Sequence, residues 1–457
     1  MKQTILSLIL ALVPVALIAQ ENSTQQYTPD GHPILTLQQC IKMAVECNSN
    51  FLRSQADSTS AEIQLASAKN SFLPQLNAQM GQSFSFGRAK DERGVIINHS
   101  AANTDFGVGL SYTLFSGLRR LYSMNEAKSS LLASEQTLLE TKDKISLDII
   151  GMYYQVLMQE DMLRISEFNL AQTEFHLNYT KAMVEGGKWA LSKQLELESQ
   201  LANEKLTLID SRNDLFLTRL NLALNVDYGS PDSLAIVNPD IDKMVALAYS
   251  KLYPVETVYN YAMNNRAGVK AAENNLQIAK LGIRAASSGF IPTLSFNAGY
   301  STSYFYPFEK SQQQFISNFS TQLKHNGRYF LGFTLSIPLF DAMETPNAIR
   351  QAKVKYTLAE IHSKDVREAL YRQVVTAQAN ATSASKKIAA ATESAQIAKE
   401  SLKMTEAAFE AGRATPLELE QARNRSLIAE MQLVRAKYDF VYKVAILEHY
   451  MGVTDIQ

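Results

Sequence analysis

The chain has 457 residues, 46% hydrophobic and 19% charged, with a formal net charge of −1 and 2 cysteines. Near-neutral charge argues against nucleic acid as a partner and against a polybasic membrane patch. Cys40 and Cys47 share one face of a helical pattern, ~10 Å apart at 1.5 Å per residue, too far to bridge, and read as small apolar residues.

Residues 1–19 read as a secretory signal peptide rather than an uncleaved anchor: Lys2, an apolar run from Ile5 to Ile18, then Ala19 before Gln20. No cysteine follows that run, so no lipid anchor is expected. No other segment approaches 18 consecutive apolar residues, so any membrane crossing falls to strands.

Beyond the leader the chain is written twice. Ala44, Ala61 and Ala68 recur as Ala262, Ala279 and Ala286, a shift of 218 residues. After the next loop the shift is 225, and Leu114-Phe115, Ala127-Lys128 and Gly187-Lys188 meet Leu339-Phe340, Ala352-Lys353 and Gly412-Arg413. Such self-similarity means two copies of one structural unit. The first copy is expected over residues 20–226, a linker over 227–255 and the second copy over 256–457. Each copy reads helix, strand, loop, strand, very long helix, turn, long helix.

Four segments alternate with period two, at about 73–87, 104–116, 291–306 and 328–340. Phe106, Val108, Leu110, Tyr112 and Leu114, for example, oppose Asp105, Gly107, Gly109, Ser111 and Thr113. At about 10 to 14 residues they suit tilted transmembrane strands. Phe84, Phe86, Tyr304, Tyr306 and Phe308 gather at one end, and Tyr112, Phe115, Phe290 and Phe340 at the other, which resembles two interfacial girdles. Ordinary strand propensity is the plainer reading of the same aromatics. If the strands do cross lipid, four alone would leave open edges, so other copies must close them.

From Leu118 to Gly186 there is no proline, predicting a helix of roughly 100 Å. Ile149, Val156, Leu163, Leu170, Leu177 and Val184 keep a seven-residue period, as do Val374, Ala381, Ile388, Ala395, Leu402 and Phe409. A sustained heptad is a left-handed coiled-coil seam. Alanines between Ala377 and Ala398 suit helices packed on two sides. Gly-containing turns near 186–190 and 411–415 end the long helices and predict two helical hairpins.

No catalytic constellation stands out, and the six histidines form no metal-spaced pair. The chain therefore reads as neither an enzyme nor a cofactor or metal protein. A coiled-coil structural or adhesive surface protein would explain the helices but not the strands between them.

The chain resembles the TolC family of outer-membrane efflux proteins. The resemblance is carried by the Phe-x-Pro-x-Leu strand starts at Phe72 and Phe290, the Leu-Phe exits at Leu114 and Leu339, and the run Phe409-x-x-Gly412-x-x-x-x-Leu417-x-Leu419-x-x-Ala422-Arg423. It implies a mainly α protein with membrane β: a homotrimer whose twelve strands close a barrel in the Gram-negative outer membrane, continued by a periplasmic helical barrel. It implies a passive exit duct for efflux or type I secretion. Docking to a periplasmic adaptor and an inner-membrane RND or ABC transporter would open it, and the pump would select the cargo.

The resemblance places a pore gate just after the second tip. Glu418 and Gln421 fall where the family has inward-facing acids, and three copies of Glu418 would form an acidic ring. The alternative is that Glu418 and Glu420 simply favour a helix N-terminus after Pro416. Phe409 stands where the best-known members have Tyr, Ala414 where they have a gating Arg, and Ser192 and Lys193 where they have Thr-Asp. Lys193 facing Glu418 is one substitute for the missing polar latch. Gly187, Lys188, Trp189, Gly412 and Arg413 are expected adaptor-contact tips. For Trp189, packing across its own turn is the alternative to a partner anchor.

Overall fold

The computed structural model describes residues 33–90, 94–98, 100–314 and 316–452. The expected signal peptide lies outside them.

In chain order the elements are β1 (Ile34–Leu35), α1 (Leu37–Cys47), α2 (Ser49–Asn70), β2 (Gln75–Ser85), β3 (Arg88–Lys90), β4 (Ile96–Asn98), β5 (Ala101–Ser116), α3 (Arg119–Glu185) and α4 (Leu191–Asn225). Then come β6 (Ala235–Ile236), α5 (Ile241–Ser250), α6 (Val255–Asn265), α7 (Ala267–Ser287), β7 (Thr293–Pro307), α8 (Lys310–Gln313), α9 (Phe319–His325), β8 (Arg328–Ser336), α10 (Glu344–Glu410) and α11 (Pro416–Tyr450). The duplication is visible in the bounds. Helices α3 and α10 each have 67 residues, α4 and α11 each have 35, and both pairs start 225 residues apart (119 to 344, 191 to 416). Even the left-handed residues that precede the long helices, Leu118 (φ 65°) and Met343 (φ 69°), correspond.

Strands β2, β5, β7 and β8 form one antiparallel sheet in that order. Cross-strand partners share a face, so register sorts the side chains. Ala78, Val108, Tyr300 and Tyr329 lie on one side; Asn77, Gly109 and Gly299 lie on the other. The apolar side is uncovered: Leu76 is 71% exposed and Leu331 77%. The outer edges of β2 and β8 pair with no strand among the described residues.

β8 ends at Ser336, short of the expected 340, just before Ile337-Pro338; proline has no N–H to give a ladder. β8 also starts late, leaving the outer part of β7 uncovered, and α9 fills the gap. The Gln322 side chain accepts from Phe305 N (2.9 Å) and donates to its carbonyl (3.0 Å), as a neighbouring strand would. Helices α8 and α9 and the β3–β4 hairpin lie in the stretches between strands that the sequence reads only as loops.

Helix α7 packs between α3 and α10, joining the two copies, while α2 packs on α3. The main core is a belt halfway along the helices, built from α1, α3, α4, α5, α10 and α11. Heptad positions Val156 and Ala381, with Leu222, Phe440 and Leu447 of the returning helices, are fully buried there, each large apolar side chain contributing about 1.5–3 kcal/mol. The stretch read as a linker supplies part of this belt: β6 pairs in parallel with β1, and Val245 and Ala248 of α5 are buried. Lys251 and Glu448 pair at 2.6 Å across it, and the Tyr153 hydroxyl donates to the Val237 carbonyl at 2.7 Å. Cys40 is buried and Cys47 half-buried, both free, and burial pushes the Cys40 thiol up to about 12.

Phe440 is fully buried, with the Tyr249 ring 4.7 Å away. Phe440→Ala should cost about 3–5 kcal/mol, read as a lowered midpoint in denaturant unfolding followed by circular dichroism.

Candidate gate at the hairpin tips

Both hairpins turn on the same device. At the first tip Gly187 adopts φ 71°, its N–H bonds the Val184 carbonyl at 2.9 Å, and the Lys188 N–H bonds the Met183 carbonyl at 2.9 Å. At the second, Gly412 has φ 72°, with Gly412 to Phe409 at 2.9 Å and Arg413 to Ala408 at 2.8 Å. These are paired six-to-one and five-to-two closures around a left-handed glycine. Gly187, Lys188, Gly412 and Arg413 are exposed; Trp189 is half-buried.

The Trp189 ring is directed at the other hairpin. Its centroid lies 5.0 Å from that of Phe409 and 5.6 Å from that of Tyr179, both edge-on. Packing within its own hairpin, on Tyr179, is only half of its environment. Phe409, the last buried residue of α10, is 1% exposed. Lys193 stands over both rings, its Nζ 4.7 Å from the Trp189 centroid and 5.6 Å from that of Phe409. Edge-to-face pairs contribute ~0.5–1.5 kcal/mol each and a cation over a ring ~0.5–2 kcal/mol. Lys193 stacks on the rings instead of pairing with Glu418. Ser192, at the start of α4, is exposed.

Glu418 closes a capping box at the start of α11. Its Oε2 accepts from the Thr415 N–H (2.7 Å) and hydroxyl (2.9 Å), while the Thr415 hydroxyl oxygen accepts from Glu418 N–H at 3.3 Å. Those bonds hold its carboxyl below the usual range. The helix-start reading thus describes the local geometry. Glu418 and Gln421, three residues apart, are both exposed; Glu420 is half-buried and turned into the cleft between the hairpins, alongside Glu204, Gln200 and Asn424. The two acids therefore point to different places.

That cleft holds a polar cluster absent from the sequence reading. Glu204 of α4 accepts from Thr173 (2.9 Å) and Gln200 (2.8 Å) through Oε1, while its buried Oε2 has no partner. Arg423 of α11, its side chain 10% exposed, bonds Glu406 of α10 at 3.4 Å and also acts on Glu204 and His176. Burial pushes the Glu204 carboxyl up, opposed by Gln200, Thr173 and Arg423, with Glu420 adding to the rise. Among the described residues no group of side chains could hold a metal, and no helix is long and apolar enough to cross a membrane.

An exposed apolar sheet whose outer edges pair with no strand among the described residues, carried on helices about 100 Å long, has the architecture of an outer-membrane protein. The comparisons agree. The family model described as "Outer membrane efflux protein" matches residues 40–225 and 258–453, one match per copy. The chain belongs to that family. "Outer membrane protein TolC" of Vibrio cholerae is 25% identical over 424 residues, 91% of this chain and 90% of that protein. Its namesake from Escherichia coli is 22% identical over 430 residues, 92% and 83% respectively. The Campylobacter jejuni CmeC outer membrane channel shares the fold, with a TM-score of 0.74 at 14% identity over 91% of this chain and 86% of that one. The protein is an efflux channel of the Gram-negative outer membrane and performs no catalysis. Outer membrane efflux proteins work with periplasmic adaptors and inner-membrane transporters.

Two outcomes follow. A Cβ at Gly412 meets no neighbour, so Gly412→Ala carries only the left-handed backbone penalty of ~1–2 kcal/mol, measurable as a lowered melting temperature. Burial, then Arg423, pushes His176 from 6.5 down to about 4; burial, then Arg266, does the same to His449. The unfolded chain takes up these protons near pH 6.5, and the folded chain only near 4. Their contribution is therefore complete above pH 6.5 and lost as pH falls towards 4. Replacing both with Asn should flatten the melting temperature across that window.

Proposed function

We propose that three copies of this chain close one barrel and form a passive exit duct, docked at its periplasmic end to an adaptor and an inner-membrane RND or ABC transporter. The observation that carries this reading is the open four-stranded sheet with its apolar face uncovered. Lipid supplies no partner for the free edges of β2 and β8, so another copy of the sheet must. Three such sheets give twelve strands, within the size range of membrane barrels.

The helices fit the same arrangement. Helix α2 has only Ala61 buried, and Ile63 on its outer side is 65% exposed, leaving that side for a neighbouring protomer. Gly187, Lys188, Gly412 and Arg413 stand at the far end from the sheet, free to meet an adaptor. Glu418, exposed and ionised, is the acid assigned to the pore ring, with Gln421 beside it. Glu420 and Phe409, turned inward between the hairpins, are assigned a packing role behind that ring. A purely adhesive coiled coil has no use for the sheet.

Single-channel recording in a planar bilayer tests this. Wild type should give a small cation-preferring conductance. Glu418→Gln, which keeps the capping box but removes the charge, should lower that preference without loss of assembly. Unchanged selectivity would move the ring elsewhere, and silence from an intact oligomer, even after deletion of both tips, would overturn the duct.

A further inference from the structure

The best-known relatives are expected to hold their tips with a polar latch, and this chain lacks its residues. What stands in the same place is a mixed aromatic and cationic contact between the two hairpins. Phe409 belongs to the second hairpin, yet Trp189 of the first hairpin packs on it at 5.0 Å, and it is 1% exposed. Lys193, also of the first hairpin, has its amine over one ring from each hairpin. Pulling the hairpins apart would uncover both rings and take the cation off Phe409 in one movement. Glu418 turns its Oε2 to Thr415, while the Lys193 amine lies over the two rings.

We propose that Trp189, Phe409 and Lys193 form the clasp that sets the resting separation of the two hairpins, and so the width of the duct at its periplasmic end. The inference rests on the duct reading above. A clasp made of packed rings, Phe409 buried and Trp189 half-buried, has a consequence that an ion-pair latch lacks. Salt screens a pair of exposed charges but does not weaken the burial of two rings. The closed state should therefore hold at high ionic strength.

The test is single-channel conductance of the full-length oligomer in low and high KCl, each value divided by the conductivity of the bath. For wild type that ratio should not climb as salt rises; screening of the Glu418 ring only lowers it. Trp189→Ala and Phe409→Ala should each raise conductance several-fold. The double variant should rise no further than the larger single, because both remove the same contact. Lys193→Met should give a smaller rise. A merely structural role would lower the melting temperature and leave conductance alone. Should the alanine variants fail to assemble, Lys193→Met and Phe409→Leu decide in their place. Wild-type conductance in the assembled variants, or a wild-type ratio that climbs steeply with salt, overturns the clasp while leaving the duct. Silence from wild type and from tip-deleted protein overturns the duct reading and the clasp with it.

Discussion

Lipid offers no hydrogen-bond partners to a peptide backbone, and the rest of this structure depends on that constraint. The sheet formed by β2, β5, β7 and β8 satisfies its inner strands, yet both outer edges pair with no strand among the described residues and one face is largely apolar. In water such a sheet would be an aggregation template. In a membrane it becomes a stable wall only when the edges are closed. The internal duplication supplies two hairpins per chain, so few copies are needed.

The helices meet a different requirement, that of spanning a long distance with little core. The belt around Val156, Leu222, Phe440 and Leu447 anchors the middle. Away from it several heptad positions are only half-buried within one chain: Leu170, Val184, Ala395 and Leu402 all retain exposure. Helices this lightly buried are rigid only when flanked on both sides, which is how staves in a barrel wall are held. At the tips the load passes to a few contacts, the rings of Trp189 and Phe409 and the buried charges around Arg423.

Much of this was legible in the sequence because it is periodic. Alternation over residues 104–116 and heptads from Ile149 to Val184 report which side of an element is apolar, and that property needs no knowledge of the partner. The glycine turns were legible for a similar reason, as Gly187 and Gly412 mark the left-handed position of each closure. What stayed hidden depends on contacts between segments far apart in the chain. Trp189 and Phe409 are 220 residues apart (409 less 189), and no local pattern announces their contact. Arg423 lay inside a motif but pairs with Glu406 across a turn and faces Glu204 from another hairpin. Glu418 and Glu420 looked alike in sequence. The helix separates them, sending one to the surface and the other into the cleft. Helix α9 was missed because it is only seven residues long and is held by the edge of β7 rather than by its own periodicity.

The claim on which everything else stands is that other copies of the chain close the sheet edges. Its most direct measurement is the molar mass of the detergent-solubilised protein by light scattering, with the detergent contribution subtracted. Closure by three copies predicts a single species of three chains, each 50.9 kDa before removal of a leader, that dissociates only on unfolding. A folded, stable single chain, with its apolar sheet satisfied by detergent alone, would contradict it.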